Sequence, residues 1–392
     1  MIRITGIGAV SAAGGNVPET LESFRSGMRN AGPVTLFDTP LEYPVFEVKQ
    51  IPEKYFLEGQ RTLSLAIIAV EEALGEAGLE NDLSGLRIGV CLGTTVACQL
   101  NDLDFYQSYH STGTASMTPV ERYLKGNLAE FVSRKFKAKG PVLTIVNACS
   151  SGTDSIGVAL SWLNNGFCDI AIAGGSDELN RIPLCGFGSL GIVSSELCAP
   201  FDSARKGLNL GEGAGVMILE RKESAERRGR FSDLYLSGYG SASDSYHLTA
   251  PRPDGAGLER AIMKALSDSG ISPGEISFVN AHGTATQDND LVEGNTLGRI
   301  FGTELKMLST KGYTGHTLGA AGGLEAVFSA AALREGWIPA SAGFNNKDEN
   351  IPLMPVREKT EIRGTYALST SLAFGGNNAA IVIGRICDDK KH

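Results

Sequence analysis

The chain has 392 residues, of which 42% are hydrophobic and 20% charged, a composition of folded domains that excludes a disordered chain. Its 44 acidic and 35 basic residues leave a net charge of −9, which argues against a nucleic-acid binder. Glycine is the outlier at 49 residues, but the glycines cluster in short turns without a Gly-X-Y period, which excludes collagen.

In chain order, strand-like runs are predicted at 2–7, 87–91, 142–147, 169–173, 216–219, 234–236, 276–280, 307–309 and 379–383, most ending in small-residue turns. Helical spacing falls between them at 62–77, at 155–163 (Ile156, Leu160 and Leu163 on one face, Gly166 as a stop) and at 324–333. Strands alternating with helices predict an α/β fold with buried sheets. The N-terminus MIRITGIGAVS has no charged region followed by an apolar core, so no secretory signal is expected. The longest uncharged stretch, 364–384, carries too many polar residues and glycines for a spanning helix, and a soluble, cytoplasmic chain is expected. Seven cysteines (Cys91, Cys98, Cys149, Cys168, Cys185, Cys198, Cys387) are irregularly spaced with no CxxC, which reads as reduced thiols without a zinc site.

The sequence also repeats itself. IRITGIGAVS (2–11) aligns with LYLSGYGSAS (234–243), and RIGVCLGTT (87–95) with SFVNAHGTA (277–285). Either two similar halves pack face to face, with their strand ends meeting at one site, or turns of this kind simply look alike. The charged stretch 220–230, read as an exposed helix end, is the best boundary.

Four segments could carry chemistry. In VLTIVNACSSGTDSIGVAL (142–160) a strand runs to Cys149 and a helix follows. A thiol at a helix N-terminus would have a lowered pKa; a buried structural cysteine is the competing reading. His282 follows a strand in EISFVNAHGTATQDNDLVEGN (275–295), and Lys311 and His316 precede a small-residue helix start in LSTKGYTGHTLGAAGGLEA (308–326). His110, His247 and His392 lack such settings. In LSTSLAFGGNNAAIVIG (368–384), Phe374 precedes Gly375 and Gly376, where the backbone can aim an N–H at an oxyanion; a plain tight turn competes. Gly6-Ile-Gly8 lacks the third glycine of a dinucleotide fingerprint, and the glycines at 211, 213 and 215 lack a Gly-Lys-Ser/Thr. No nucleotide cofactor is expected.

Six stretches in one order, NACSSG (147–152), FDSARKGLNLGEGAG (201–215), YHLTAPRPDGAG (246–257), VNAHGTAT (279–286), STKGYTGHTLGAAGGLE (309–325) and AFGGNN (373–378), resemble the elongating, type II-like β-ketoacyl-ACP synthases of the thiolase-like superfamily. The resemblance spans nearly the whole chain. It implies a thiolase-like fold: two duplicated βαβαβαββ halves, 1–230 and 231–392, in a five-layer α-β-α-β-α sandwich. It implies Cys149 as acyl-carrying nucleophile, His282 and His316 as the histidine pair, and Lys311 as the lysine positioning them. Phe374 matches the gatekeeper, its N–H forming an oxyanion hole with that of Cys149, and Gly375 belongs to the same gate. Asp290, Glu293 and Glu325 match supporting acids, and Glu325 with Asn280 matches a structural cation site. The implied reaction is decarboxylative condensation of an acyl thioester with malonyl-acyl carrier protein, giving a 3-oxoacyl product without metal or cofactor. The implied partners are acyl carrier protein and a second copy of the chain, with no nucleic acid and no membrane.

Sister branches differ by residue. Degradative thiolases need a C-x-G near the C-terminus, and here it occurs only at Cys91-Leu92-Gly93. Initiating synthases carry Asn where His316 stands, and chain-length factors lack the cysteine. A non-catalytic subunit shaping a partner's acyl tunnel is the second reading. The chain departs from the family at Asn377 (for Thr), at Lys206 (for an acid), and at Leu372 and Ala373 (for a Phe-Gly pair). The first and last changes touch the acyl-gate loop, so the resemblance implies fatty-acid synthesis or a specialised pathway such as polyene or polyketide assembly. Arg134, Lys135, Lys137 and Lys139 are the densest basic cluster for an acidic carrier protein; a solvated helix end is the slightly favoured reading.

Overall fold

The computed structural model describes residues 1–79, 83, 85–98 and 102–386, so Cys387 and His392 lie outside the described residues. The first half runs β1 (Ile2–Ser11), α1 (Val17–Ser26), α2 (Arg61–Glu76), β2 (Ile88–Gly93), α3 (Leu103–Thr112), α4 (Thr118–Lys125), α5 (Leu128–Phe136), β3 (Val142–Ile145), α6 (Ser151–Asn164), β4 (Ile170–Asp177), α7 (Arg181–Ser189), β5 (Gly213–Arg221) and α8 (Lys222–Arg227). The second runs β6 (Leu234–Ser243), α9 (Ala256–Ser269), β7 (Ile276–Asn280), α10 (Gln287–Phe301), β8 (Met307–Leu308), α11 (Lys311–Thr314), α12 (Ala321–Glu335), β9 (Trp337–Ile338), β10 (Thr360–Glu361), β11 (Tyr366–Ala373) and β12 (Asn377–Arg385).

The main strands lie in the order β3-β2-β4-β5-β1-β6-β12-β11-β7-β8. β1 and β6 meet through only two residue pairs, Ile2 with Leu236 and Arg3 with Tyr235. The arrangement is therefore two five-stranded sheets hinged at one corner. Each sheet has two parallel pairings (β3-β2-β4 and β8-β7-β11) followed by two antiparallel ones (β4-β5-β1 and β11-β12-β6). The order of the second sheet mirrors the first. α6 and α12 fill the space between the sheets and touch strands of both. α2 and α5 cover the outer face of the first sheet and α9 that of the second, with α10 packed on α9. This is the thiolase-like five-layer sandwich.

The sequence repeat has a packing cause. A Cβ on Gly6 or Gly8 would come within 2.0 Å of Ala73 O or 2.1 Å of Ala69 O on α2, and one on Gly240 within 2.0 Å of Ala261 O on α9. Glycine lets each helix lie directly on its strand. The helices also supply acceptors for strand N–H groups: Ile7 donates to Glu76 (2.9 Å), Ala9 to Glu72 (2.8 Å) and Tyr239 to Asp268 (3.1 Å). The Gly-x-Gly near the N-terminus is thus a helix seat. Glu212, between the later glycines, is fully buried and bidentate with Arg61 at 2.6 and 2.7 Å, which is no phosphate loop.

Some bounds differ from the sequence reading. β3 stops at Ile145 rather than running to Cys149, and Val146 is 67% exposed. A local serine takes the next backbone groups away from the sheet: Ser151 Oγ accepts from Asn147 N–H and donates to the Ala148 carbonyl. α6 therefore begins at Ser151, ahead of its apolar periodicity, and the chain leaves it through Gly166 at φ +73°. In the charged stretch 220–230, Glu220 is fully buried under Arg228 at 2.9 Å rather than exposed. The six described cysteines are unpaired thiols, and only Cys185 is exposed. No helix among the described residues is long and apolar enough to cross a membrane.

Candidate active site

Turns at strand ends of both halves converge on one point. Cys149 follows β3 and precedes the helix cap Ser150, in a turn where Ala148 takes φ +49°. His282 lies two residues beyond β7, Lys311 opens α11, and His316 follows Gly315 at φ +65°. Phe374 sits at the tip of the β11–β12 hairpin. Cys149, His282, His316 and Lys311 are all buried.

His316 Nε2 is 3.1 Å from Cys149 Sγ, and the two imidazoles stand edge to face with centroids 5.2 Å apart. Lys311 Nζ donates to the His282 carbonyl at 2.6 Å, to His282 Nδ1 at 3.1 Å and to the Glu325 carboxylate. The Leu318 N–H points at His316 Nδ1 at 3.3 Å. Each Nδ1 thus faces a donor and must accept, which puts the ring proton on Nε2. Burial, then the Lys311 charge, holds both histidines well below the usual 6.5, so the rings are neutral. Two neutral Nε2–H groups therefore serve the cavity as donors.

The thiol does not follow the sequence expectation. Burial pushes Cys149 up to about 11, against the Lys311 charge and the Phe374 N–H, which both pull it down. Loss of water outweighs position before a helix. The resting group is a neutral thiol beside an N–H donor. Gly375 also departs from its expected part in an oxyanion hole, because its N–H is committed to the Leu248 carbonyl at 2.7 Å. The Phe374 N–H, turned to the sulfur, remains.

The supporting acids hold backbone rather than substrate. Glu293 accepts from the His282 and Gly283 N–H groups (both 2.8 Å) and from Thr370 Oγ1 (2.7 Å). Asp290 accepts from the Phe201 and Ala285 N–H groups, both residues at positive φ. Burial raises Asp290 to about 6 and Glu325 to about 7, the latter against Lys311. Asn280 donates to the Glu325 carbonyl, while Asn280 Oδ1 and Glu325 Oε2 are buried without a hydrogen-bond partner. Those two oxygens suit a hard cation. The atoms of Cys149, His282 and His316 lie within 4.8 Å of one another, but a protonated Nε2 offers no lone pair to a metal.

A cavity of about 260 Å³ reaches Cys149, His282, His316 and Phe374. Phe187, Leu190, Ile192, Leu208 and Leu372 give it an apolar wall, and Lys206 is the cation in its lining. Phe187 packs on Phe374 with centroids 5.4 Å apart. Arg134, Lys135, Lys137 and Lys139 are exposed at the end of α5, Arg134 is 3.7 Å from Glu130, and none of the four lines this cavity. Sequence reasoning missed Asp177, which is fully buried, accepts from Thr94 Oγ1 and from the Thr95, Val96 and Gly319 N–H groups, and ties the β2 turn to the segment after His316. Its signal was an acid closing the apolar run of β4.

Comparison with known proteins gives the same picture. The family described as "Beta-ketoacyl synthase, N-terminal domain" matches residues 1–225, and "Beta-ketoacyl synthase, C-terminal domain" matches 235–345. The chain is 35% identical to 3-oxoacyl-[acyl-carrier-protein] synthase 2 of Staphylococcus aureus (strain N315), covering 97% of each. It superposes on the ishigamide ketosynthase/chain length factor with a TM-score of 0.93 at 29% identity, covering 98% of this chain and 99% of the other. It superposes with a TM-score of 0.87 at 27% identity, covering 98% and 99%, on a structure of a type II PKS acyl-carrier protein in complex with its ketosynthase bound to the hexaketide. The chain belongs to the β-ketoacyl synthase family, on its elongating, type II-like branch, and is a condensing transferase.

Proposed function

We propose that this protein joins an acyl thioester to malonyl-acyl carrier protein with loss of CO₂, lengthening the acyl chain by two carbons. The observation that carries the reading is the convergence of one thiol and two Nε2–H donors on one buried cavity. In the first step Cys149 Sγ takes the acyl group from a pantetheine thioester, and the thiol proton ends on the departing pantetheine sulfur. The exchange is nearly balanced, so the site needs only to stabilise the tetrahedral oxyanion, with the Cys149 and Phe374 N–H groups. In the second step malonyl thioester loses CO₂, and negative charge grows on its thioester oxygen. The His282 and His316 N–H groups stabilise it. The enolate carbon then attacks the acyl-Cys149 carbonyl, the carbon–sulfur bond breaks, and the sulfur recovers a proton from solvent.

Lys311 fixes the His282 tautomer and lowers both imidazole pKa values. Asn280 Oδ1 and Glu325 Oε2 would hold a structural cation, which would fix the carboxylate that receives Lys311. The protein acts as a homodimer in the cytoplasm, on acyl chains carried by acyl carrier protein, with the halves divided at 230 and 231. The departures at Lys206, Leu372, Ala373 and Asn377 line or flank the cavity and favour a specialised acyl chain. Similarity to a ketosynthase/chain length factor assembly keeps a heterodimeric arrangement as the second reading. The test is intact mass after mixing with acyl-loaded carrier protein. Acyl transfer lost in Cys149→Ala supports the enzyme. An adduct that survives the substitution, or no adduct on the unaltered protein, overturns it.

A further inference from the structure

Asn377 is a departure from the family pattern that the condensing chemistry leaves without a task. We propose that Asn377, Asn147 and Asp154 form a positioning latch that fixes the hairpin tip carrying Phe374 against the turn carrying Cys149. The inference rests on the condensing reading for its kinetic meaning, though the latch itself stands on geometry.

Asp154 is buried on α6, and three donors converge on it. Tyr239 Oη reaches Oδ1 at 2.7 Å, while Ser150 Oγ and Asn147 Nδ2 reach Oδ2 at 2.8 and 2.5 Å. A carboxylate can only accept, so Asn147 must turn its NH₂ toward Asp154 and its carbonyl away. That carbonyl accepts from Asn377 Nδ2 at 2.6 Å. One buried acid thus sets the direction of every bond in the chain.

The placement of these residues gives the latch its purpose. Asn147 lies two residues before Cys149, Ser150 immediately after it, and Asn377 opens β12 three residues beyond Phe374. Between Phe374 and Asn377 stand Gly375 and Gly376 at φ +86° and +81°, a tip with little stiffness of its own. On one side the tip is tied to 244–248, through Gly375 N–H to the Leu248 carbonyl and Asp244 N–H to the Gly376 carbonyl, both 2.7 Å. The Asn377–Asn147 bond reaches across the other side to the nucleophile turn. It sets the distance between the two backbone N–H groups that receive the oxyanion.

The test compares Asn377→Ala, Asn147→Ala, the double variant and Asp154→Asn. Asn377→Ala lowers the rate of Cys149 acylation about tenfold, the scale of one hydrogen bond, with the acyl-carrier KM little changed. Malonyl decarboxylation, which draws on the histidines, stays within about twofold. The double variant is no worse than either single one, because one bond is lost in each. Asp154→Asn keeps most activity, since an amide oxygen still accepts from Asn147 while its NH₂ turns to Tyr239. Parallel loss of acylation and decarboxylation, or additive losses in the double variant, overturns the latch. Amide hydrogen exchange gives a reading free of catalysis: in Asn377→Ala, exchange rises together at 147–150 and 374–376. If the unaltered protein fails to acylate, the condensing reading falls and this exchange alone decides the latch; unchanged exchange overturns it.

Discussion

The two halves share one strand order but arm their equivalent turns differently. Between β3 and α6 lie only residues 146–150; between β8 and α12 lie 309–320. The short turn leaves room for one thiol followed by two serines. The longer one carries Lys311 and His316, and the neighbouring β7 turn adds His282. Around the sulfur the second half places His282, Lys311, His316 and Glu325, while the first half contributes Asp154 and Asp177. Both halves bury further charged groups elsewhere, Glu212 and Glu220 in the first, Asp290 and Glu293 in the second. A duplicated scaffold thus separates the tasks. One copy presents the nucleophile, and the other presents charge and N–H donors that burial would otherwise penalise.

That division can be broken by substitution. The largest effect belongs to Cys149→Ala, which abolishes acyl loading and condensation together, as intact mass and product formation would show. His316→Ala and His282→Ala each slow CO₂ release from malonyl carrier protein by about 10²–10³, the scale of one lost oxyanion donor, and slow acyl transfer less; equal losses in both steps would erase the distinction between the halves. Gly8→Ala on β1 and Gly240→Ala on β6 test the structural equivalence. Each forces a Cβ against helix backbone and costs about 1–3 kcal/mol, read as a lowered denaturant midpoint with the remaining folded protein active. A cost at one site alone would break the symmetry of the helix seats. The smallest effect is in pH. Because burial holds both histidines well below 6.5, their neutral form persists as pH falls through that value. Glu325, raised to about 7 and bonded to Lys311, titrates in the same window, so the profile is read in Glu325→Gln. There the decarboxylation rate stays flat from pH 8 to 6 and declines only below, and a midpoint near 6.5 would contradict the neutral-donor arrangement.

Much of this was legible in the chain itself. The repeated Gly-x-Gly strands showed as β1 and β6 with the bounds of the aligned segments, because a glycine demanded by helix packing leaves a mark that periodicity alone lacks. The strand ends ahead of His282 and Lys311 were legible because the apolar runs stop short of them. The end of β3 was not, since Val146 continues the apolar pattern while the Ser151 side chain takes the next backbone groups elsewhere. The Cys149 pKa was misjudged for a related reason: sequence shows the helix that follows but not the water removed by distant residues of both halves. Asp154 and Asp177 escaped notice because their value lies in what they accept from distant turns.

α12 carries one last consequence. All but two of its residues are buried, Arg334 and Glu335 being the exceptions. A helix with no wettable face cannot be left behind by either sheet. Pulling the sheets apart would strand that apolar cylinder in solvent, so the protein has no cheap half-unfolded form. Separately expressed fragments should precipitate alone and regain activity only when mixed during refolding.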